Sequence, residues 1–529
     1  MKKGFNKKNL LFSITAICLV GLIGVGVSYA YYLANFSVSN PGNANSNLTT
    51  TLTTDVVMDM QGKYAPSNAV PGFKGVKEVV VRGLGEKNSV PSEASIQITP
   101  DFADFGNDVT WKLYKSDTPI TCTSKVKEGI QYYDEATCDI PNSASLLLEG
   151  GSQNSYLNII VNPLTETKYY LVVEYANNGD QSSQMGKSFS ITIGLGSKMT
   201  AVDRIIAQLD TTGKCPSVNN DGSVNVTAVE ATNGYLCKAK DAYGDSYYYR
   251  GNVTNNYVKF ADKYWRIVRI NGDGTVRVIY DGTSAHANGE SSSDRQIGKS
   301  VFNGSPDDYN SSADNAYAGY MYGAAGASTY AATHANTNDS TIKTYIDNWY
   351  KTNILGTANE QYLADNVFCN DRSLAGDNSG TGAGTYSSRY RWSNGPWDSE
   401  SYSKYNNKMM LTCPQQNDSF TVSDTTKGNG ALTYPVGLLS TDEIVLAGGW
   451  NVDNNGYYLY SGQGWWTSSP GYFNGIFVDM HRVYSTGIAY DYDTVNTAYG
   501  VRPVFNLKAD TLAQGSGTAS DPYRISLNS

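Results

Sequence analysis

The side chains with the widest chemical reach are few in this chain of 529 residues. Histidine occurs only at His286, His334 and His481, and none of the seven cysteines forms a CxxC pair. A structural zinc site draws four such ligands from short, repeated spacings, so no metal is expected. Ser468 and Ser469 stand near His481, but no motif supplies the acid that would orient the imidazole. Asp442 and Glu443 follow Ser440 and Thr441, the pattern of a helix cap rather than of an acid/base pair. The loop NNDGS puts Gly222 at the sixth position of a calcium loop. Its first and twelfth positions would then be Ser217 and Ala228, which lack the required carboxylates, and an Asp-Gly hairpin is expected instead. Glycosidase carboxylates have room to hide among 49 acids, and no spacing singles them out. The expectation is a protein with no cofactor and no catalytic constellation.

The residues suited to binding cluster near the C-terminus. Gly464–Gly475 reads GWWTSSPGYFNG, and Tyr, Asn, Asp, Ser, Thr and His dominate from Tyr472 to Tyr499. Tyrosine offers a broad apolar face and a hydroxyl at low entropic cost, and Ser, Gly and Asn adapt around it, as in antibody paratopes. The candidate ligand-binding residues are Trp465, Tyr472, Asn474, Asp479, His481, Tyr484, Tyr490, Tyr492 and Asn496. Asp479, Asp491 and Asp493 favour a basic or hydroxyl-rich ligand, either a protein or a glycan. The plain alternative is a pair of ordinary strands with a tyrosine-rich edge. Neighbours on a strand face opposite ways, so Trp466 is expected inside and Trp465 toward the loops. Ser468–Gly471 is expected to turn, with Pro470 setting the angle. Arg502, in GVRPVF, is expected to brace loops by hydrogen bonds.

These candidates need a scaffold, and the composition says which kind. Charged residues make up 17%, aromatics 12%, and 41 residues are tyrosine. Such a chain can fill a core, and its profile is that of a β- and loop-rich exterior protein. Net charge is −9, and leaving out the four lysines among the first eight residues takes the remainder to −13. Nucleic-acid binding wants a basic stripe, so it is not expected. Leu10–Ala34 is an uncharged run of 25 residues behind those lysines. It is long enough to span a bilayer, with the N-terminus inside and the rest outside. Ser28 and Ala30 also form a possible cleavage site, and cleavage after Ala30 would give a secreted protein. Cys18 is an apolar filler in that run. The six other cysteines allow fifteen pairings. The sequence-local set, Cys122–Cys138, Cys215–Cys237 and Cys369–Cys413, is expected because each pair falls within one structural unit, and export favours disulfides.

The expected organisation is mostly β with some α. Residues 1–34 form the cytoplasmic lysines and membrane anchor or signal, and 35–54 a Ser/Asn/Thr-rich spacer. Residues 55–198 alternate as strands (EVVVRGL, ASIQITP, VTWKLYK, YLNIIVNP, TKYYLVVEYA, SFSITIGL), which predicts a β-sandwich. Trp111, Tyr169 and Tyr170 are expected in or near its core, and Cys122 with Cys138 is expected to staple a hairpin. Residues 199–246 read as a connector that begins with a helix over 200–210 and carries the second cysteine pair. Residues 247–510 form a second domain, and 511–529 a tail or hairpin. Within the second domain, strands flank a turn at Asn271–Gly274, a helix capped by Ser340 runs over 339–355, and a short helix capped by Ser440 or Thr441 ends at Gly448–Gly449.

In chain order, YWRIV, IDNWY, FCNDRS, GLLSTDEIVLAGG, WWTSSPG and GVRPVFNL resemble a domain that recurs in anchored surface proteins of Gram-positive gut bacteria. That domain is similar to the formylglycine-generating-enzyme branch of the C-type-lectin-like fold. The resemblance covers about residues 247–507 and implies an immunoglobulin-like stalk below a C-type-lectin-like head with a variable, loop-rich face. Oxidase chemistry of that branch needs a late cysteine pair, and no cysteine follows Cys413. Calcium-dependent sugar binding needs an EPN- or QPD-like motif followed by WND, which is absent. Retroelement-driven diversification is compatible with the residue set and would require a near-identical DNA repeat differing only at adenines. The resemblance therefore implies an adhesion or ligand-binding protein of the cell surface. A structural envelope or fibre subunit, and a glycan-active or oxidative enzyme, are the alternatives.

Overall fold

The computed structural model describes residues 48–525, except 54–55, 62–70, 85–90, 103, 128–129, 153, 179–180, 185–186, 188, 198–199, 307, 309–312, 376–382, 392–407 and 490. The membrane run at 10–34 and most of the spacer lie outside the described residues. Among the described residues no helix is long and apolar enough to cross a membrane. The chain divides into two units, 1–199 and 200–529, and both are mostly β.

The first unit is a sandwich of two antiparallel sheets. One runs in the order Leu48–Thr53, Val56–Gln61, Lys74–Gly83, Glu166–Tyr175, Val109–Lys115 and Ser145–Gly150; the other in the order Ser190–Ser197, Ser92–Asp101 and Ser155–Val161. Val79 and Val81, Leu171 and Val173 from the first sheet meet Ile96 and Ile98, Ile191 and Ile193 from the second in one core. The period-2 alternation of the sequence generates this layer, because each strand hides every second side chain. Trp111 is fully buried and donates its indole N–H to the Gly151 carbonyl at 3.0 Å. Tyr169 joins the main core, while Tyr170 points to the opposite face, packs with Tyr114 and Ile120, and donates to Glu78. Cys122 and Cys138 sit directly opposite one another in the hairpin Thr121–Lys127 and Ile130–Asp139, and are bonded.

The second unit has two larger sheets. The first follows the path Gly234–Asp241, Gly244–Gly251, Lys263–Ile270, Tyr257–Phe260, Tyr523–Ile525 and Leu512–Gln514. Val276–Gly282 pairs beside Lys263–Ile270 and carries Val504–Leu507 in turn. Segments 199–246 and 511–529, which read as connector and as tail or hairpin, contribute strands to the same sheet as the head domain, the second as the hairpin Leu512–Gln514 with Tyr523–Ile525. The pairs Gly234–Asp241 with Gly244–Gly251 and Leu512–Gln514 with Tyr523–Ile525 are local, but the parallel pairing of Tyr523–Ile525 with Tyr257–Phe260 joins residues more than 250 apart, which alternation does not show. The second sheet joins Lys299–Ser300, Tyr499–Gly500, Trp465–Phe473, Val478–Val483 and Asp491–Thr494, with Ser388–Arg389 on Trp465–Phe473.

Local signals are expressed closely. The first helix covers Ala201–Ile206, shorter than its periodicity suggests, under a Thr200/Asp203 capping box. Ser340 caps Thr341–Asn353, and Ser440 with Glu443 forms a capping box on Thr441–Leu446. Ser217–Val218 pairs with Val224–Asn225 around Asp221 and Gly222, whose φ of +84° needs glycine. Cys215–Cys237 and Cys369–Cys413 are also bonded.

The centre of the second unit is charged. Asp281 is fully buried and accepts from Arg295 and Arg502, both at 2.8 Å, with Arg266 at 3.9 Å. Removing one partner of a buried ion group typically costs 3–5 kcal/mol, because the remaining charge is stranded. Asp281→Asn is therefore expected to destabilise the second unit by about 3 kcal/mol or more, read from a urea unfolding midpoint. A change under about 1 kcal/mol would show that the arginines hold their places without the carboxylate.

Candidate functional site

The tyrosine-rich stretch forms three strands of the second sheet. Val478–Val483 lies between Trp465–Phe473 and Asp491–Thr494, in a register that sets His481 opposite Tyr492 and Asp479 opposite Thr494. Alternation then puts Asp479 and His481 on one face and Met480 and Arg482 on the other.

On the first face four candidates come together. Tyr472 is half-buried, and its hydroxyl donates to the Asp479 carboxylate. The Tyr472 and Tyr492 rings meet edge-to-face at 5.4 Å, and His481 meets Tyr492 in the same manner at 5.9 Å. His481 and Asp479 are buried, whereas Tyr492 is 40% exposed. Burial pushes the Asp479 carboxyl up to about 7, against the Tyr472 hydrogen bond and with help from Asp493. Burial also pushes the Tyr472 hydroxyl up to about 12, reinforced by Asp479. The cluster is a polar floor under an exposed aromatic ring, able to hold or release one proton near neutrality.

On the opposite face, Arg482 stacks over Tyr499 at 4.3 Å and over Tyr484 at 4.8 Å. Asp493 accepts from the Tyr499 hydroxyl at 2.5 Å and lies 3.7 Å from Arg482. The expected preference for a basic ligand is therefore weakened. Asp493 already has cationic and hydroxyl partners, and Asp479 is largely protonated below neutrality.

The other candidates separate. Asn474 is exposed, and its Oδ1 accepts from the Ile476 and Phe477 N–H groups, closing the turn between two strands. Asn496 is buried, with no partner for its Oδ1 among the described residues. Tyr490 lies outside the described residues. Trp465 does not face the loops. It is 1% exposed beneath the Arg502 guanidinium, while Trp466 is also buried, packs on Phe302 and Tyr499 and donates to the Ser300 carbonyl. The strand is covered on both faces, so alternation no longer separates core from surface. Ser468–Gly471 likewise stays within the strand rather than turning. Arg502 braces loops as expected, donating to the Tyr280 and Leu459 carbonyls.

The sequence reading left out two neighbours of this face. Ser388–Arg389 pairs with Tyr472–Phe473, which brings the exposed Tyr386 near, and Ile476 protrudes at the turn with 65% exposure. The aromatic SSRYRW was a signal for the first, but its pairing partner lies more than eighty residues away. Among the described residues no group of three His, Cys, Asp or Glu could hold a metal ion.

Fold and site together define a disulfide-bonded, mostly β unit that presents an aromatic face on a charge-centred core. Residues 360–509 of it match a domain family of unknown function, DUF6273. That span holds the Thr441–Leu446 helix, the tryptophan strand and the tyrosine cluster, and is similar to that family over less than half of the chain. No curated protein matches the sequence.

A carboxyl raised from its ordinary value stabilises the fold while protonated and loses that contribution as pH rises toward 7. Asp479→Asn removes this dependence. Relative to the wild type, the variant is expected to gain on the order of 1 kcal/mol or more between pH 5 and pH 8. Thermal unfolding at both values checks this, and a pH-independent difference would place the Asp479 carboxyl in its ordinary range.

Proposed function

We propose that this chain is a cell-surface binding protein whose Tyr472–Tyr492 face contacts a protein partner. The observation that carries the reading is the exposed set Tyr386, Ile476 and Tyr492 around the polar Tyr472–Asp479 floor. Aromatic anchors beside adaptable polar groups are the chemistry of protein recognition surfaces, and exposed large apolar side chains grouped together mark such surfaces.

In this reading the first unit is an immunoglobulin-like stalk and the second a C-type-lectin-like head. The apolar run at 10–34 anchors the chain with its N-terminus inside, or is cleaved after Ala30 to release it. Three disulfides support an oxidising exterior. Binding is favoured over turnover because the conspicuous carboxylates of the second unit are committed to its framework. Asp281, Glu443 and Asp418 are buried against arginines, and Asp442 holds Arg391.

The test is capture of host-cell surface proteins by the full chain, compared with the Tyr492→Ala and Tyr472→Ala variants after their thermal unfolding is matched. Each truncation of an anchor is expected to weaken binding roughly tenfold or more. Undiminished capture by both variants would move the contact surface elsewhere. Capture of glycans alone would overturn the protein partner.

A further inference from the structure

A cleft of about 560 Å³ opens along the helix Thr341–Asn353, on residues separate from the tyrosine cluster. Its size falls within the usual range of small-ligand sites. The helix supplies Thr341, Thr344, Tyr345 and Asn348, three, four and seven residues apart and hence one stripe. Ile342, Ile346 and Tyr350 take the core side. The opposing walls are the loop Ser300–Ser305, the turn bearing Tyr317, and the ladder of Met321–Tyr322 with Asn338–Asp339.

Three features of the lining point to one kind of ligand. The first is aromatic surface beside free hydroxyls. Tyr317 and Tyr322 meet edge-to-face at 5.3 Å and are half-buried, and neither hydroxyl bonds to another described residue. The second is an unsatisfied amide. Asn303 is 3% exposed, and its Oδ1 accepts from the Gly304 N–H at 3.0 Å, but its Nδ2 has no acceptor among the described residues. A buried donor without an acceptor is costly, and a ligand oxygen would relieve it. The third is neutrality. Among the described lining residues Asp339 is the one that is charged, and Lys343 already engages it at 3.1 Å.

The site is also held in place. The Tyr345 hydroxyl seats against Gly298, where φ is +141° and a Cβ would collide with it. The Ser300 carbonyl accepts from the Trp466 indole.

We propose that this cleft binds a neutral oligosaccharide. Sugar C–H faces pack on the Tyr317 and Tyr322 rings, and sugar hydroxyls meet the amides of Asn303 and Asn348 and the hydroxyls of Thr341, Thr344 and Tyr322. An anionic ligand would find no opposing charge among the described lining residues, Asp339 is already engaged by Lys343, and binding needs no metal ion.

The experiment is calorimetric titration of the full chain, in detergent, with neutral trisaccharides of glucose, galactose, mannose and N-acetylglucosamine. At least one is expected to bind, unaffected by a chelator. Tyr322→Ala and Asn348→Ala are each expected to weaken it tenfold or more, and Tyr472→Ala to leave it unchanged. Asn348 is an exposed helix residue, so its variant decides the matter if Tyr322→Ala fails to fold. No binding across the panel, or binding unchanged by Asn348→Ala and by a folded Tyr322→Ala, would overturn the proposal. Because Tyr472→Ala touches only the other face, the two binding surfaces fail or stand independently.

Discussion

Three guanidinium groups converge on one buried carboxylate, and the second unit is arranged around that imbalance. Asp281 ends the strand Val276–Gly282, while Arg266 comes from the neighbouring strand, Arg295 from a short turn and Arg502 from the segment before Val504–Leu507. A single carboxylate cannot neutralise three cations, so the remaining N–H groups must find neutral acceptors. They do. Arg266 donates to Asn256, Asn288 and the Val253 carbonyl, Arg295 to the Glu290 and Tyr458 carbonyls, and Arg502 to those of Tyr280 and Leu459. Tyr257 and Trp465 add aromatic faces beneath Arg266 and Arg502. Burial lowers the Arg502 guanidinium to about 10, still charged at neutral pH. Arginine suits this role because its planar fork serves several acceptors at once. Those acceptors lie on three loops, at 253–256, 288–290 and 458–459, and on the strand Val276–Gly282, so the network fixes the loops to the sheet as it satisfies itself.

A second hub explains the segment STDE without catalysis. Glu443 closes the capping box with one oxygen and receives Arg269 at 3.1 Å and Arg277 at 2.7 Å with the other. Asp442, one residue earlier, accepts from Arg391 and from the Met410 N–H. The short helix thus ties the strands Lys263–Ile270 and Val276–Gly282 to Arg391 and Met410, which both lie between Cys369 and Cys413. Arginine holds the Glu443 carboxyl below its ordinary range although burial pushes it upward. A group stabilised in its charged form in this way is a poor proton shuttle.

The second sheet, where the proposed recognition face lies, stands apart from the two hubs' carboxylates. Its strands are braced on the Arg502–Trp465 side and on the Trp466–Tyr499 side. Its outer strand and turns carry the exposed large side chains Tyr492, Ile476 and Tyr484. A rigid platform with aromatic side chains at its margin loses little entropy when a partner docks, which is where paratope-like surfaces gain their affinity.

What the sequence determined by itself was whatever short-range physics controls. The cysteine pairs, the caps at Thr200, Ser340 and Ser440, the Asp221–Gly222 hairpin, the turn at Asn271–Gly274 and the strand alternation of the first unit all depend on neighbours within a few tens of residues, and were legible. Tyr472 and Tyr492 were singled out by residue type alone, and the exposure of the Tyr492 ring agrees with a surface position. Burial of Trp465, Asp479 and His481 was not, since period-2 alternation reports a face only when the other face meets water. Nor was the attachment of the hairpins at 234–251 and 512–525 to the larger sheet, nor the cleft at Asn303, Tyr317, Tyr322 and Asn348, whose polar stripe reads as an ordinary solvated helix face. Those were decided by tertiary structure, because only the closed fold brings a second layer over a strand or a loop across a helix.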